Sequence, residues 1–121
     1  MKGWRILIVE DDPFIAEGLA AVLRDEGAEI VGPAATVADA LALIARAPID
    51  TAILDINLRG QEAFAVADAL DARRIRFIFA TGYDGTIIPD RYSSIRCCEK
   101  PFGIARVMEA LAGAHLSVVR A

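Results

Sequence analysis

Four stretches of this chain set polar side chains directly behind apolar runs, and Leu54-Asp55-Ile56-Asn57-Leu58 poses the sharpest problem. The run Thr51-Ala52-Ile53-Leu54 ends at the carboxylate of Asp55, and Arg59-Gly60-Gln61 then opens a loop. A charge at the end of a buried strand is costly unless something neutralises or uses it. Glu10, Asp11 and Asp12 follow a second such run, Arg5 to Val9. Thr81 follows Arg76 to Ala80, and Lys100 follows Ile95-Arg96-Cys97-Cys98-Glu99.

If those runs are parallel strands of one sheet, their carboxyl ends share an edge, the edge where open α/β sheets bind ligands. Glu10, Asp11 and Asp55 would then repel one another, by a few kcal/mol per pair at ~4 Å. They must take up protons or hold a cation. With only oxygen ligands available the natural cation is Mg²⁺, which takes one or two carboxylates, a carbonyl and several waters. Asn57, two residues beyond Asp55, can offer its backbone carbonyl. Such a site suits phosphoryl transfer, which asks for an in-line nucleophile and positive charge around the transferred oxygens. Asp55 is the candidate nucleophile, forming an acyl phosphate. Lys100 would offset charge and Thr81 would donate a hydroxyl hydrogen bond. The only histidine, His115, lies in the final helix or tail. A carboxylate nucleophile needs no base, so this arrangement is self-consistent.

The elements that must position these groups can be read in order. Arg5 to Val9 reads as a strand covered on both faces. Asp12-Pro13 starts a helix, with a side-chain cap and proline in the first turn. Ile15, Leu19, Val22 and Leu23 mark its inner face and Gly27 its end. Glu29-Ile30-Val31-Gly32 is a second strand, stopped by Pro33. Thr36-Val37-Ala38-Asp39 is a capping box with Asp in place of Glu. It leads a helix with Leu41, Ile44 and Ala45 inward, ended by Pro48. Thr51 to Leu54 is strand three, and Gln61 to Ala72 a helix bearing Phe64, Ala67 and Leu70. Arg76 to Ala80 is strand four. From Gly82 to Ser94 the helical pattern fails, leaving at most a turn or two around Asp90 to Ser93. Ile95 to Cys98 is strand five, Phe102 to Leu111 the last helix, and 113–121 an extension or tail. Alternating strands and helices imply a parallel sheet with helices on both faces.

The 121 residues suggest a single domain, 1–121, and at 55% hydrophobic they can fill a core. The net charge of −4 and the lack of a basic run argue against direct nucleic-acid binding. Adjacent Cys97 and Cys98 cannot build a disulfide framework, so a reducing, cytoplasmic setting is expected. No segment reads as a signal peptide or membrane span.

Val9-Glu10-Asp11-Asp12-Pro13, Leu54-Asp55-Ile56-Asn57-Leu58, Ala80-Thr81-Gly82 and Glu99-Lys100-Pro101-Phe102 together resemble the motifs of two-component response-regulator receiver domains, in that family's order and spacing. The resemblance implies a flavodoxin-like five-stranded parallel sheet in the order 2-1-3-4-5. It makes Asp55 the phosphorylated aspartate, Glu10 and Asp11 the acidic pair, Asn57 the carbonyl ligand, Thr81 the switch hydroxyl and Lys100 the essential lysine. It also implies Mg²⁺, a sensor histidine kinase or histidine phosphotransfer protein as donor, and a downstream protein target; a homodimer is compatible with it. Output without an attached effector domain is the expectation. Two positions depart from the pattern. Cys97 stands where the family usually has an aromatic switch residue. The fourth helix is short or degraded, and Phe77-Ile78-Phe79-Ala80-Thr81-Gly82-Tyr83-Asp84 resembles the "FAT GUY" subgroup of stand-alone receivers. Tyr83 is then a candidate for the moving aromatic.

Plainer readings exist for each residue. The acids at 10–12 suit a capped helix start with dipole-favoured charges. Asp55 could pair Arg59, and Thr81 could be a turn hydroxyl. Lys100-Pro101 could be a simple strand exit, though a cis bond there would aim the lysine inward. Cys97 and Cys98 point to opposite faces of a strand, and core packing is the ordinary role for one of them. A small aspartyl-phosphate phosphatase of haloacid dehalogenase type is the alternative function. That chemistry wants a second acid two residues after the nucleophile, where this chain has Asn57.

Overall fold

The computed structural model describes residues 2–58, 61–81, 90–92, 95, 97–99 and 109–113. Lys100, Tyr83, the Lys100–Pro101 bond, His115 and most of the expected last helix lie outside the described residues. Five parallel strands form one sheet: β1 (Arg5–Val9), β2 (Glu29–Ala34), β3 (Thr51–Asp55), β6 (Arg76–Thr81) and β7 (Cys97–Glu99), in the order β2-β1-β3-β6-β7. With β6 and β7 as the fourth and fifth long strands, this is the expected 2-1-3-4-5 order. Two short strands, β4 (Asn57–Leu58) and β5 (Gln61–Glu62), pair antiparallel as a separate hairpin.

The inner stretches of the central strands, Ile6 to Val9, Ala52 to Leu54 and Phe77 to Ala80, are apolar because both faces are covered. Leu7 and Val9, Ala52 and Leu54, and Phe77 and Phe79 point to one side, where α2 (Val37–Arg46) and α3 (Phe64–Ala72) pack through Ala40, Ile44, Val66, Ala67 and Leu70. Their alternating neighbours Ile6, Ile8, Ile53, Ile78 and Ala80 meet α1 (Pro13–Asp25) and the helical residues 109–113 through Leu19, Ala20, Leu23, Ala110 and Leu111. Fully burying one such Leu or Ile side chain contributes about 1.5–3 kcal/mol, so two continuous faces fix the register of every strand. No helix among the described residues is long and apolar enough to cross a membrane.

The caps follow the sequence. Asp12 Oδ1 accepts from the amides of Phe14 (2.9 Å) and Ile15 (3.4 Å), and Thr36 Oγ1 accepts from the Asp39 amide (3.1 Å). Four expectations need correction. Pro33 does not stop β2, which continues to Ala34 with a cis Gly32–Pro33 bond. β2 is an edge strand, where a missing donor costs no ladder bond. The third helix begins at Phe64 rather than Gln61, because Gln61–Glu62 pairs back on Asn57–Leu58 and the Ala63 amide donates to the Ile56 carbonyl at 2.7 Å. On α2 the inner face is Ala40 and Ile44 with Leu43 beside them, whereas Leu41 is 36% exposed and Ala45 faces outward. On α1, Ile15 and Val22 are only half-buried, and Ala16 and Ala20 take the centre of the contact.

Where a fourth helix would run, the described residues hold a 3-10 turn, Asp90–Tyr92. Tyr92 is buried there, stacked on Phe64 of α3 (centroids 6.3 Å apart, rings 13° from parallel). It stands edge-on to Phe77 and Phe79 at 5.9 and 5.8 Å. Its hydroxyl donates to Asp68 on α3, and Arg91 donates to both oxygens of the same carboxylate at 3.2 and 3.3 Å. The Tyr92 hydroxyl bond holds the Asp68 carboxyl below the ordinary carboxylate range; partial burial opposes this and Arg91 adds to it. Burial, reinforced by the Asp68 charge, pushes the Tyr92 phenol up.

Two stability predictions follow from these contacts. Replacing Asp12 by Ala should cost about 1 kcal/mol in urea unfolding, the usual worth of a helix cap. A carboxylate with a lowered folded pKa stabilises above its unfolded pKa, and that contribution is lost as pH falls. Asp68→Asn should therefore flatten the loss of thermal stability on acidification below about pH 4; an acid limb as steep as wild type would show that Asp68 does not contribute to it.

Candidate functional site

β1, β3 and β6 deliver their carboxyl ends to one edge of the sheet. Val9 pairs with Leu54, Leu54 with Phe79 and Asp55 with Ala80, so the residues after Val9, at Asp55 and after Ala80 are neighbours. The ladder is continued by the Glu10 amide donating to the Ala34 carbonyl (2.9 Å) and the Ile56 amide donating to the Ala80 carbonyl (3.2 Å). β7 adds its own end alongside, with Thr81 opposite Glu99. Lys100 is the next residue in sequence.

Glu10, Asp11 and Asp55 meet at this edge. One carboxylate oxygen from each lies within 4.8 Å of the other two. Glu10 and Asp55 are buried, at 3% and 5% exposure, while Asp11 is half-buried. Glu10 is also held from behind: its Oε2 accepts the amide of Asp12 at 3.0 Å, and Asp12 in turn caps α1. A helix cap and a member of the acidic cluster are thus set by residues two apart in one turn. Carboxylates this close repel one another, and a cation among them would relieve that repulsion. Hard oxygen donors in such a cluster fit Mg²⁺ or Ca²⁺ and offer nothing to a soft metal.

Of the residues singled out in the sequence, the structure brings together Glu10, Asp11 and Asp55 by their side chains. It sets the backbone of Asn57 in β4, of Thr81 at the end of β6 and of Cys97 at the start of β7. Two features were not anticipated. Antiparallel pairing of Asn57–Leu58 with Gln61–Glu62 engages the backbone just after Asp55. The Asp68–Arg91–Tyr92 cluster joins α3 to the turn before β7. The concentration of aromatics at Phe64, Phe77 and Phe79 was the available signal that another ring would be drawn in.

An edge of this composition, on a sheet of this order, matches one family. The family model for the response regulator receiver domain matches residues 6–112. The chain belongs to that family. Its members act in signalling rather than as classical enzymes, and the family membership does not support the phosphatase alternative. Among solved structures, SdrG from Sphingomonas melonis is 42% identical, with a TM-score of 0.79, over 95% of this chain and 98% of that one. A second SdrG structure, described as the BeF3-activated conformation, is 43% identical with a TM-score of 0.79, over 96% of this chain and 100% of that one. The receiver domain of the Erythrobacter litoralis response regulator PhyR is 27% identical, with a TM-score of 0.86, over all of this chain and 97% of that one. Among curated relatives, the transcriptional regulatory protein PdtaR of Mycobacterium tuberculosis is 29% identical over 88% of this chain. The chain spans 54% of PdtaR, about half the length of the relative.

Relief of repulsion gives a two-sided prediction. Asp11→Asn should raise stability toward urea without divalent cation and abolish the gain on adding Mg²⁺. For wild type, that gain is about 1.4 kcal/mol at ten times the dissociation constant. Equal Mg²⁺ gains in both proteins would remove Asp11 from the cation site.

Proposed function

We propose that this receiver unit is a phosphorylation-dependent signalling switch whose phosphoacceptor is Asp55. The observation that carries the reading is the convergence of Glu10, Asp11 and Asp55 within 4.8 Å at the carboxyl edge of the sheet. The Asp55 carboxylate attacks the phosphorus of a phosphohistidine on a histidine kinase or phosphotransfer protein. The phosphorus–nitrogen bond breaks, the imidazole leaves, and an acyl phosphate forms on Asp55. Mg²⁺, held by Asp11, Asp55 and the Asn57 carbonyl with Glu10 beside them, supplies positive charge against the phosphoryl oxygens when bound. Lys100 pairs with one phosphoryl oxygen and Thr81 donates its hydroxyl to another.

Asp55 is nearly buried, so a donor must press onto the rim around it. Phe14, 89% exposed in the first turn of α1, gives that rim an apolar contact. Phosphorylation then biases a pre-existing equilibrium by drawing Thr81 and Lys100 toward Asp55. Output passes to a protein partner, in a cytoplasmic setting and without direct contact to nucleic acid. The sequence around Tyr83, with Cys97 in place of an aromatic, supports a moving aromatic at Tyr83 of the "FAT GUY" kind. The description of SdrG as adopting a BeF3-activated conformation supports beryllofluoride as a phosphoryl mimic here.

The test is incubation with acetyl phosphate and Mg²⁺, followed by intact mass. Wild type should gain one phosphate, lost again in base, and Asp55→Ala should gain none. Label persisting in Asp55→Ala would mean that another residue is the acceptor, and chelation of Mg²⁺ should suppress labelling of wild type.

A further inference from the structure

Three segments flank the edge at Asp55, and one side chain touches or adjoins all three. α3 follows the hairpin after Asp55, β6 ends at Thr81, and β7 ends one residue before Lys100. Tyr92 stacks on Phe64 at the start of α3 and stands edge-on to Phe77 and Phe79 within β6. Its carbonyl accepts the Ile95 amide at 3.0 Å, which turns the chain toward β7. Phe79 pairs with Leu54 and Ala80 with Asp55, so the strand under the ring is in direct register with the acceptor.

The ring alone would be a wedge. Its hydroxyl makes it a latch, because Asp68 accepts from Tyr92 and from both nitrogens that Arg91 presents. The Arg91 guanidinium also lies 4.8 Å from the Tyr92 ring centroid. The inner half of this cluster is dry and the outer half is wet: Tyr92 is 1% exposed, whereas Arg91 and Asp68 are 55% and 53% exposed. A surface ion pair of that exposure adds little on its own. Its worth lies in fixing the carboxylate that orients a buried phenol.

We propose that Asp68 and Tyr92 are positioning residues for phosphoryl acceptance, a latch that holds α3, β6 and the lead into β7 at the spacing the acceptor edge requires. The inference rests on the phosphoacceptor reading above. The latch acts by preorganisation: if it is broken, the strand ends must be ordered when the phosphoryl group binds, and affinity falls. Since Asp68 and Tyr92 act through one contact, their effects overlap rather than add.

The experiment is titration of the full chain with beryllofluoride at fixed Mg²⁺, followed by backbone amide NMR, with urea unfolding on each variant. Tyr92→Phe keeps the ring and removes only the hydroxyl bond. Asp68→Asn keeps the shape and removes the charge. Each should weaken apparent beryllofluoride affinity at least about 5-fold, the low end of measured coupling between sites. The double variant should be no weaker than the worse single variant, and Asp68→Glu should recover part of the loss. Arg5→Ala removes a bidentate pair with Asp50 at the opposite end of β1, 3.1 Å in each contact. It should lower stability and leave affinity unchanged. If wild type responds and Tyr92→Phe and Asp68→Asn bind as wild type does, the latch is overturned and the phosphoacceptor reading stands. Losses that add in the double variant, or that Arg5→Ala reproduces, overturn the latch as well. If wild type itself gives no response, both readings fall.

Discussion

Mutual repulsion of three carboxylates held at one rim of a sheet is the constraint on which this molecule turns. Nothing in the local sequence requires Glu10 and Asp11 to lie near Asp55, some 45 positions away. Parallel pairing does, because right-handed crossovers send every strand the same way and put all carboxyl ends together. The fold therefore concentrates negative charge in a partly dry place, a high-energy arrangement relative to solvated acids. What offsets it is hydrophobic burial on both faces of the sheet. Ile6, Leu7, Ile8 and Val9 are fully buried, so β1 cannot slide to separate its acids from those of β3 without exposing them. A cation held among these acids would relieve that repulsion, which is a physical basis for coupling binding to shape.

Much of this was legible in the sequence because two periodicities do not interfere. Strand runs such as Phe77 to Ala80 are apolar at every position, and helix α1 announces itself through Asp12-Pro13 and its three-to-four spacing. Alternation implied a parallel sheet with helices on both faces, and its strand order came from the family resemblance. Errors arose where one local rule met a tertiary one. Pro33 is a strand breaker by propensity, yet an edge strand tolerates it. Leu41 looks like core by size, yet Ala40 lies on the inner face of α2 because a helix pressed onto a sheet wants its smallest residue at closest approach. Gln61 and Glu62 have helical propensity, but the short hairpin with Asn57 and Leu58 engages their backbone first.

The site divided along a different line. Acids at strand ends are conspicuous because an apolar run sets them off, and Glu10, Asp11 and Asp55 stood out for that reason. Asp68 stood among exposed helical positions and Tyr92 in a stretch whose helical pattern fails. Neither carries a local signature, and their partnership spans 24 residues. Only the side on which Phe64, Phe77 and Phe79 gather makes it visible. Glu10 shows the same limit in miniature. Its type marked it as a cation ligand, but that its second duty is to accept the amide of the residue that caps α1 is a fact of geometry.

A contact can matter to a switch without contributing much to stability. A bond equally strong in two states shifts nothing between them, whatever its strength. A modest contact present in one arrangement and weakened in the other moves the balance by its full difference. The apolar core beneath β3 and β6 belongs to the first kind, since no rearrangement short of unfolding can lose it. The cluster of Asp68, Arg91 and Tyr92 has the makings of the second. Its charged half lies in water, where breaking it costs little desolvation, and its aromatic half lies against the strand that runs to Thr81. Among the described residues, few places join a loosely held surface pair to a buried ring packed on the strand in register with Asp55. The 3-10 turn at Asp90–Tyr92 is one of them.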